Sequence, residues 1–461
     1  MDQIIIPNHI ADTFVLLDGL DIPAWLVGGC LRDILLGRPP KDWDLATPCP
    51  PELVRDRLAE ARVPFWETGF RHGTLTFRHG GVVHEITTFR RDGPYEDFRR
   101  PKWVEFTASI KEDLARRDFT INAIAYRDKE GLTDPFGGIT DLEDHIIRAV
   151  GSPQERLQED ALRILRGIRF AGSLNFDLDD RLSAAMIEKG ELLLKISPER
   201  LASELNAMLL LPSPRRALEL LAATGVWKYM ASEMADAIGF DQKSSHHYLD
   251  VYGHMVQTAE NTQPVPELRL AALLHDIAKP AVKTVDEEGN THFHRHDRVG
   301  AEMAAVILDR LRFSHALRDR VVMLIRSHMM HLRKLDDGAL RRFISDLPKP
   351  REENLELILL LQKADLTASR YTEESLSRFD GFASRCRDVL KDGYPLDIAD
   401  LAVKGEELEG LGIAPAKRSA ALKSLLAEVL RAPGQNQRQV LLTLLEPYRE
   451  VHTPDFGGGL S

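Results

Sequence analysis

The chain has 461 residues and carries 60 Lys and Arg against 71 Asp and Glu, a formal net charge of -11. That length suits about three domains, and the acidic balance excludes a basic coat, so any nucleic-acid contact must draw on local positive charge. Cys30, Cys49 and Cys386 are widely spaced with no C-x-x-C pair, which argues against a disulfide framework or a thiolate zinc site.

Taken in chain order, "MDQIIIPNHIADTF" lacks a basic region followed by an apolar core, and no apolar run reaches about eighteen residues. A soluble cytoplasmic protein with no membrane partner is expected. Up to residue 150, the β-type runs "AWLV", "GTLTF" and "VVHEITTF" alternate with helical patterns and Gly/Pro turns; beyond it nearly everything has helical spacing. The expected fold class is α+β: a head with a small mixed β-sheet over 1–150, then a helical neck (151–244), a histidine-rich helical domain (245–375) and a helical tail (376–461). In the neck, "SPERLASELNAMLLL" opens with Ser197 as cap and Pro198 at the first helical position.

The stretch "LVGGCLRDILLGRPPKDWDLATP" at 26–48 follows a predicted strand. Gly28 and Gly29 let a ligand approach the main chain, with amides able to hold an anionic oxygen, and Arg32 adds charge. Asp42 and Asp44, two residues apart, project from one face of a strand about 6.6 Å apart along the chain. Such a pair suits Mg²⁺, which takes oxygen ligands and shares its shell with substrate phosphates. Glu85, in another predicted strand, is the candidate third catalytic carboxylate beside Asp42 and Asp44. In "RRDFTINAIAY" at 116–126, Phe119, Ile121, Ala123 and Ile124 read as core, leaving Arg116, Arg117, Asp118 and Asn122 as polar candidates. In "EDALRILRGIRFA" at 159–171, Asp160 and Arg163 are three apart and expected on one helical face. Arg166 and Arg169 continue as a stripe, each about 60° further round.

These motifs, in this order, resemble the class II tRNA nucleotidyltransferases, the CCA-adding enzymes with their A-adding and bacterial poly(A) polymerase relatives. The resemblance implies a metal-dependent enzyme that adds C, C and A to a tRNA 3′ end from CTP and ATP and releases pyrophosphate. It implies that the second motif holds the nucleotide's sugar and triphosphate and that the third is a base-reading helix. The physics of that helix agrees: ionised Asp only accepts hydrogen bonds and Arg only donates them. Cytosine and adenine each offer an amino donor beside a ring acceptor, whereas guanine and uracil meet the pair like against like. The resemblance also implies that the arginine-rich loop "RRDGPYEDFRRPKWVEF" serves the switch from C to A, which argues against a CC-only enzyme. The alternatives are an A-adding enzyme or poly(A) polymerase and, from another class, an RNA-binding protein or a phosphohydrolase acting only through the histidine-rich region.

That region carries His254, His275 and Asp276 in "LLHDIAKP", His296, His328 and Asp365, and resembles the HD superfamily of metal-dependent phosphohydrolases. Imidazole with carboxylate suits Mn²⁺, Ni²⁺ or another transition metal better than Mg²⁺, and hydrolysis of a phosphoester such as a cyclic phosphate at a damaged tRNA end is the expected chemistry. The tail resembles the family's RNA-contacting segment, with Lys404, Lys417, Arg418 and Lys423 as local positive charge. It departs from the family's Pro-Gly step, since Pro415 is followed by Ala416.

Overall fold

The computed structural model describes residue 4 and residues 6–40, 42–93, 102–242, 249–333 and 335–449. Residues 94–101 of the arginine-rich loop and the terminal "TPDFGGGLS" lie outside the described residues.

The head is built on a seven-stranded mixed sheet. Its strands are β1 (Trp25–Val27), β2 (Asp44–Thr47), β3 (Phe65–Gly69), β4 (Thr74–His79), β5 (Val82–Thr88), β6 (Ala125–Arg127) and β7 (Gly131–Thr133). They lie in the order β3-β4-β5-β2-β1-β6-β7, and only β2 and β5 run parallel. Alternation along the central strands buries two faces. Leu26, Leu45, Leu75, Phe77 and Ile86 enter the main core, while Trp25, Val27 and Ala46 join Phe89, Leu114 and Ala123 in a smaller cluster on the opposite side.

Gly28 ends β1 with φ 77°, a left-handed conformation that suits glycine, and helix α1 (Gly29–Leu35) starts at once. β1 pairs Trp25 with Ala46 and Leu26 with Leu45 and then leaves the sheet; β2 begins at Asp44, so Asp42 precedes the strand although β5 continues back to Val82 on the other side. The expected shared strand face of Asp42 and Asp44 is thereby corrected.

Helix α2 (Ile110–Ala115), capped by the Ser109 hydroxyl, lies over the small cluster through Leu114. The expected single base-reading helix is also corrected: α3 (Pro153–Glu159) and α4 (Arg163–Leu174) are separate, and Asp160 sits in the break with extended backbone. Its carboxylate accepts the Leu162 N–H at 3.0 Å, the local capping that makes Asp favour helix starts over interiors. Helix α5 (Pro198–Leu209) begins at Pro198 with Ser197 before it.

Farther on, α6 (Val251–Glu260), α7 (Pro266–Leu274), α8 (His296–Arg310), α9 (His315–Ser327) and α10 (Arg351–Ala368) pack into the core shared with the head and neck. A separate cluster, Leu401 to Leu445, forms around α11 (Pro415–Arg431). There Arg418 turns back onto the Ile413 carbonyl at 3.0 Å, while Lys417 and Lys423 are exposed. Cys30, Cys49 and Cys386 are buried and free. Among the described residues no helix is long and apolar enough to cross a membrane.

Candidate active site

A cavity of about 510 Å³ lies between the head sheet and the neck. The first motif lines it with Gly28, Gly29, Arg32 and Asp44, the second with Arg116, Arg117, Asp118 and Asn122, and the third with Asp160, Arg163, Arg166 and Arg169. Every nucleotide-contacting candidate is therefore brought to one place. Glu85 stands in an adjoining recess with Asp44, Arg116 and Arg117.

The carboxylates are set by sheet register. Asp44 and Glu85 are direct partners across the parallel β2–β5 pair, so both project from the same face beside α2. Asp44 keeps exposed surface, yet desolvation of its carboxyl group raises its pKa; the Arg117 charge opposes this and the Asp42 charge adds to it. Asp42, Asp44 and Glu85 do not close into a three-ligand group in the way the histidine cluster does, as expected of like charges facing one another. All three offer the hard oxygen donors that fit Mg²⁺.

Around them the arginines are held in place. Asp113, buried on α2, accepts Arg116 at 2.7 and 3.0 Å, Arg117 at 3.2 Å and the Arg90 amide at 3.3 Å. The left-handed backbone calls for glycine at Gly28, and a side chain there would also displace the Arg117 guanidinium, which it would meet at 2.8 Å. The Gly28 amide is directed at the Ile124 carbonyl, 3.4 Å away, whereas the Gly29 N–H opens α1 and has no intrahelical acceptor. A chain of hydrogen bonds crosses the cavity wall: Arg32 donates to the side-chain oxygen Oδ1 of Asn122 (3.0 Å), Nδ2 of Asn122 donates to Asp118 (3.0 Å), and Arg166 grips the other Asp118 oxygen at 2.6 and 2.9 Å. Burial pushes the Asp118 pKa up, but the Arg166 charge and the Asn122 amide together hold it below its ordinary value.

Asp160 and Arg163 meet in the cavity from either side of the helix break. Arg200 donates to both Asp160 oxygens at 3.0 and 3.3 Å. Of the five N–H donors of a guanidinium, Arg163 commits one each to Glu159 and to the Arg156 and Arg116 carbonyls. The remaining donors, and the free lone pairs of Asp160, are left for a ligand edge. Arg169 is paired with Glu204 at 2.7 Å. Phe170 packs on Phe119, and Arg32, Arg166 and Arg169 surround its ring at 4.6–5.4 Å. Asp113, Phe170, Arg200 and Glu204 are not among the sequence candidates. Asp113 has a local signal, an acid three and four residues before two arginines, and Phe170 stands beside Arg166 and Arg169 in its own motif; Arg200 and Glu204 act across long sequence separations.

In the histidine-rich region all six candidates converge. His254, His275 and Asp365 form one group of possible ligands and Asp276, His296 and His328 a second, each with ligand atoms within 4.8 Å of one another. Asp276 joins the two, with one oxygen 3.2 Å from His275 Nε2 and the other 3.5 Å from His296 Nε2. The Nδ1 atoms of His275, His296 and His328 each face a backbone carbonyl at 2.6–2.8 Å. Donation there directs each Nε2 inward, the orientation metal-ligating imidazoles require. His296 and His328 Nε2 stand 3.2 Å apart, a repulsive contact of lone pairs unless a cation or proton lies between them. Burial alone would lower the His275 pKa, but Asp276 and Asp365 raise it to about 10. His328 falls to about 4 through burial and the neighbouring His275 charge. The donor set fits a transition metal.

The fold and site define a head of the polymerase type followed by helical domains. Residues 24–148 match the poly A polymerase head domain, residues 175–238 the probable RNA and SrmB-binding site of polymerase A, and residues 245–369 the HD domain. The chain thus carries, in order, matches to a poly A polymerase head, an RNA-binding segment and an HD domain. It is similar to the CCA-adding enzyme of Lactobacillus delbrueckii subsp. bulgaricus, 44% identical over 210 residues, which are 46% of this chain and 52% of the relative. The CCA-adding enzyme of Anoxybacillus flavithermus is 45% identical over 207 residues, 45% of this chain and 51% of the relative. The chain thus spans about half the length of the curated relatives it matches. The crystal structure of the Bacillus stearothermophilus CCA-adding enzyme in complex with CTP superposes over 96% of this chain and 98% of its own, with a TM-score of 0.68 and 26% identity. The Thermotoga maritima CCA-adding enzyme complexed with tRNA shares the fold at a TM-score of 0.59 and 21% identity, over 96% of each chain.

Proposed function

We propose that the chain is a CCA-adding tRNA nucleotidyltransferase working without a template in the cytoplasm. The 3′-hydroxyl of a tRNA attacks the α-phosphate of CTP, twice, and then of ATP, and pyrophosphate leaves. The observation that carries this reading is the convergence of all three motifs on one guanidinium-rich cavity beside Asp44 and Glu85. In it, Gly28 and Gly29 admit the triphosphate to the main chain, Arg32, Arg116 and Arg117 bind its oxygens, and Asp118 and Asn122 face the sugar. Asp160 and Arg163 read the base edge, steadied by Arg200 and Glu159, while Arg166 and Arg169 brace the wall around Phe170. Asp42, Asp44 and Glu85 would hold Mg²⁺, whose bound charge favours ionisation of the attacking hydroxyl and stabilises the leaving pyrophosphate. The proposed division is a head to residue 150, a neck to 244, an HD domain to 375 and a tail thereafter. The similarity to a CTP-bound enzyme supports the choice of nucleotide.

The test is incorporation of labelled CTP and ATP, singly and together, into tRNA ending at its discriminator base. CTP alone is incorporated by a CCA-adding enzyme and refused by an A-adding one; long adenosine tails on unrelated RNA would mark a poly(A) polymerase. Asp44→Ala is expected to lower transfer by on the order of a hundredfold or more with tRNA binding retained, and near-normal transfer by that variant contradicts the assignment.

The converging histidine cluster favours a second activity, phosphoester hydrolysis at the HD centre with Mn²⁺, Ni²⁺ or a similar ion held by His254, His275, Asp276, His296, His328 and Asp365. Hydrolysis of a 2′,3′-cyclic phosphate in the presence of these ions, lost in His275→Ala, is the expected result. Its absence from the wild-type protein removes this second activity and leaves the first intact.

A further inference from the structure

Beside the HD centre, but not part of it, is a cavity of about 500 Å³ whose wall carries Arg295, Arg298, Arg326 and Arg333 with Asp297 and Glu302. Four guanidiniums against two carboxylates make a positive concavity on a chain of net charge -11. Arg333 is tied to Asp297 at 3.2 Å, whereas Arg295, Arg298 and Arg326 form no ion pair with any described residue. Gathering like charges in excess over their counter-anions is unfavourable, and the guanidinium fork matches phosphate oxygens in pairs. Arg295 also holds a left-handed backbone, φ 63°, a conformation rare for a residue with a side chain and concentrated at functional sites. Met330 and Phe343 supply an apolar wall. The cavity therefore has the size of the one between head and neck, about 510 Å³, and repeats its ingredients: arginines, a few carboxylates and one aromatic ring.

We propose that this cavity is a second anion site, taking the phosphates of a nucleotide-sized ligand on Arg295, Arg298 and Arg326, with the rest of the ligand against Met330 and Phe343. The site stands one residue from two members of the histidine cluster, since Arg295 and Asp297 flank His296 and Ser327 precedes His328. It is independent of either activity proposed above. Its ligand chemistry, a phosphate ester, is offered both by free nucleotides and by an RNA strand, and the two are separable.

The experiment uses the full chain and the double variant Arg298→Gln/Arg326→Gln. Both side chains are exposed, and unchanged thermal melting certifies the fold. In one arm, equilibrium dialysis with labelled ATP is expected to give two equivalents bound by the wild type and one by the variant, with CTP transfer unchanged within about twofold. In the other, filter binding of tRNA against salt reads the strand: if RNA is the source, the variant binds tRNA more weakly and its salt slope falls by about two. A loss in either arm supports the site and names the source. Wild-type behaviour of the variant in both arms overturns it. Loss of CTP transfer through a head substitution leaves this readout untouched, so the two proposals fail separately.

Discussion

Asp118 shows how much a single buried carboxylate organises. It ties the second motif to the third through Arg166, caps the Phe119 amide and orients Asn122, which in turn receives Arg32. Because Arg166 and Asn122 hold the folded-state pKa below the ordinary value, the carboxylate contributes stability that is fully present above its unfolded pKa of about 3.9 and is lost as pH falls through the folded value. Wild type is therefore expected to exceed Asp118→Asn in denaturant midpoint from pH 5 to 7, with the gap closing below about pH 4. A gap that does not depend on pH would contradict the ionic role. At this scale the sequence was informative where residues act within a motif. Arg200 and Glu204 were not legible, because each finds its partner 35 or more positions away and no local pattern announces such a pair.

Among the elements, those with strong local punctuation were read correctly. The strand before Gly28 and the helix opening at Pro198 follow from backbone permissiveness and from proline's fixed φ. Two finer expectations failed for related reasons. Asp42 is expected inside a strand, but β2 begins only at Asp44, where its pairing with β1 ends, even though β5 continues back to Val82 on its other side. Asp160 was expected on the same helix as Arg163, but its side chain competes for a backbone amide and splits the helix. The break changes the geometry of the proposed base reader without dispersing it: Asp160 approaches the cavity from extended backbone and Arg163 from the first residue of α4. Arg200 on α5 braces the first, and Glu159 at the end of α3 the second.

For the whole molecule, one continuous core runs from Ile10 in the head to the HD helices, so the cavity between head and neck is framed by packed elements on both sides. The HD cluster teaches the complementary lesson. Its ligand types were plain in the sequence, yet His254 and Asp365, 111 positions apart, meet at 2.9 Å only because α6 packs on α10; convergence is a property of the fold. In the proposed function, side chains of this chain choose the nucleotide with no template strand. The most direct measurement is competitive incorporation of CTP against UTP into tRNA lacking its end, by wild type and by Asp160→Asn, whose amide can donate to the uracil carbonyl as the carboxylate cannot. A fall in the CTP preference of about tenfold or more, the scale set by leaving a buried polar group mispaired, is predicted; an unchanged preference in an active variant would contradict the claim.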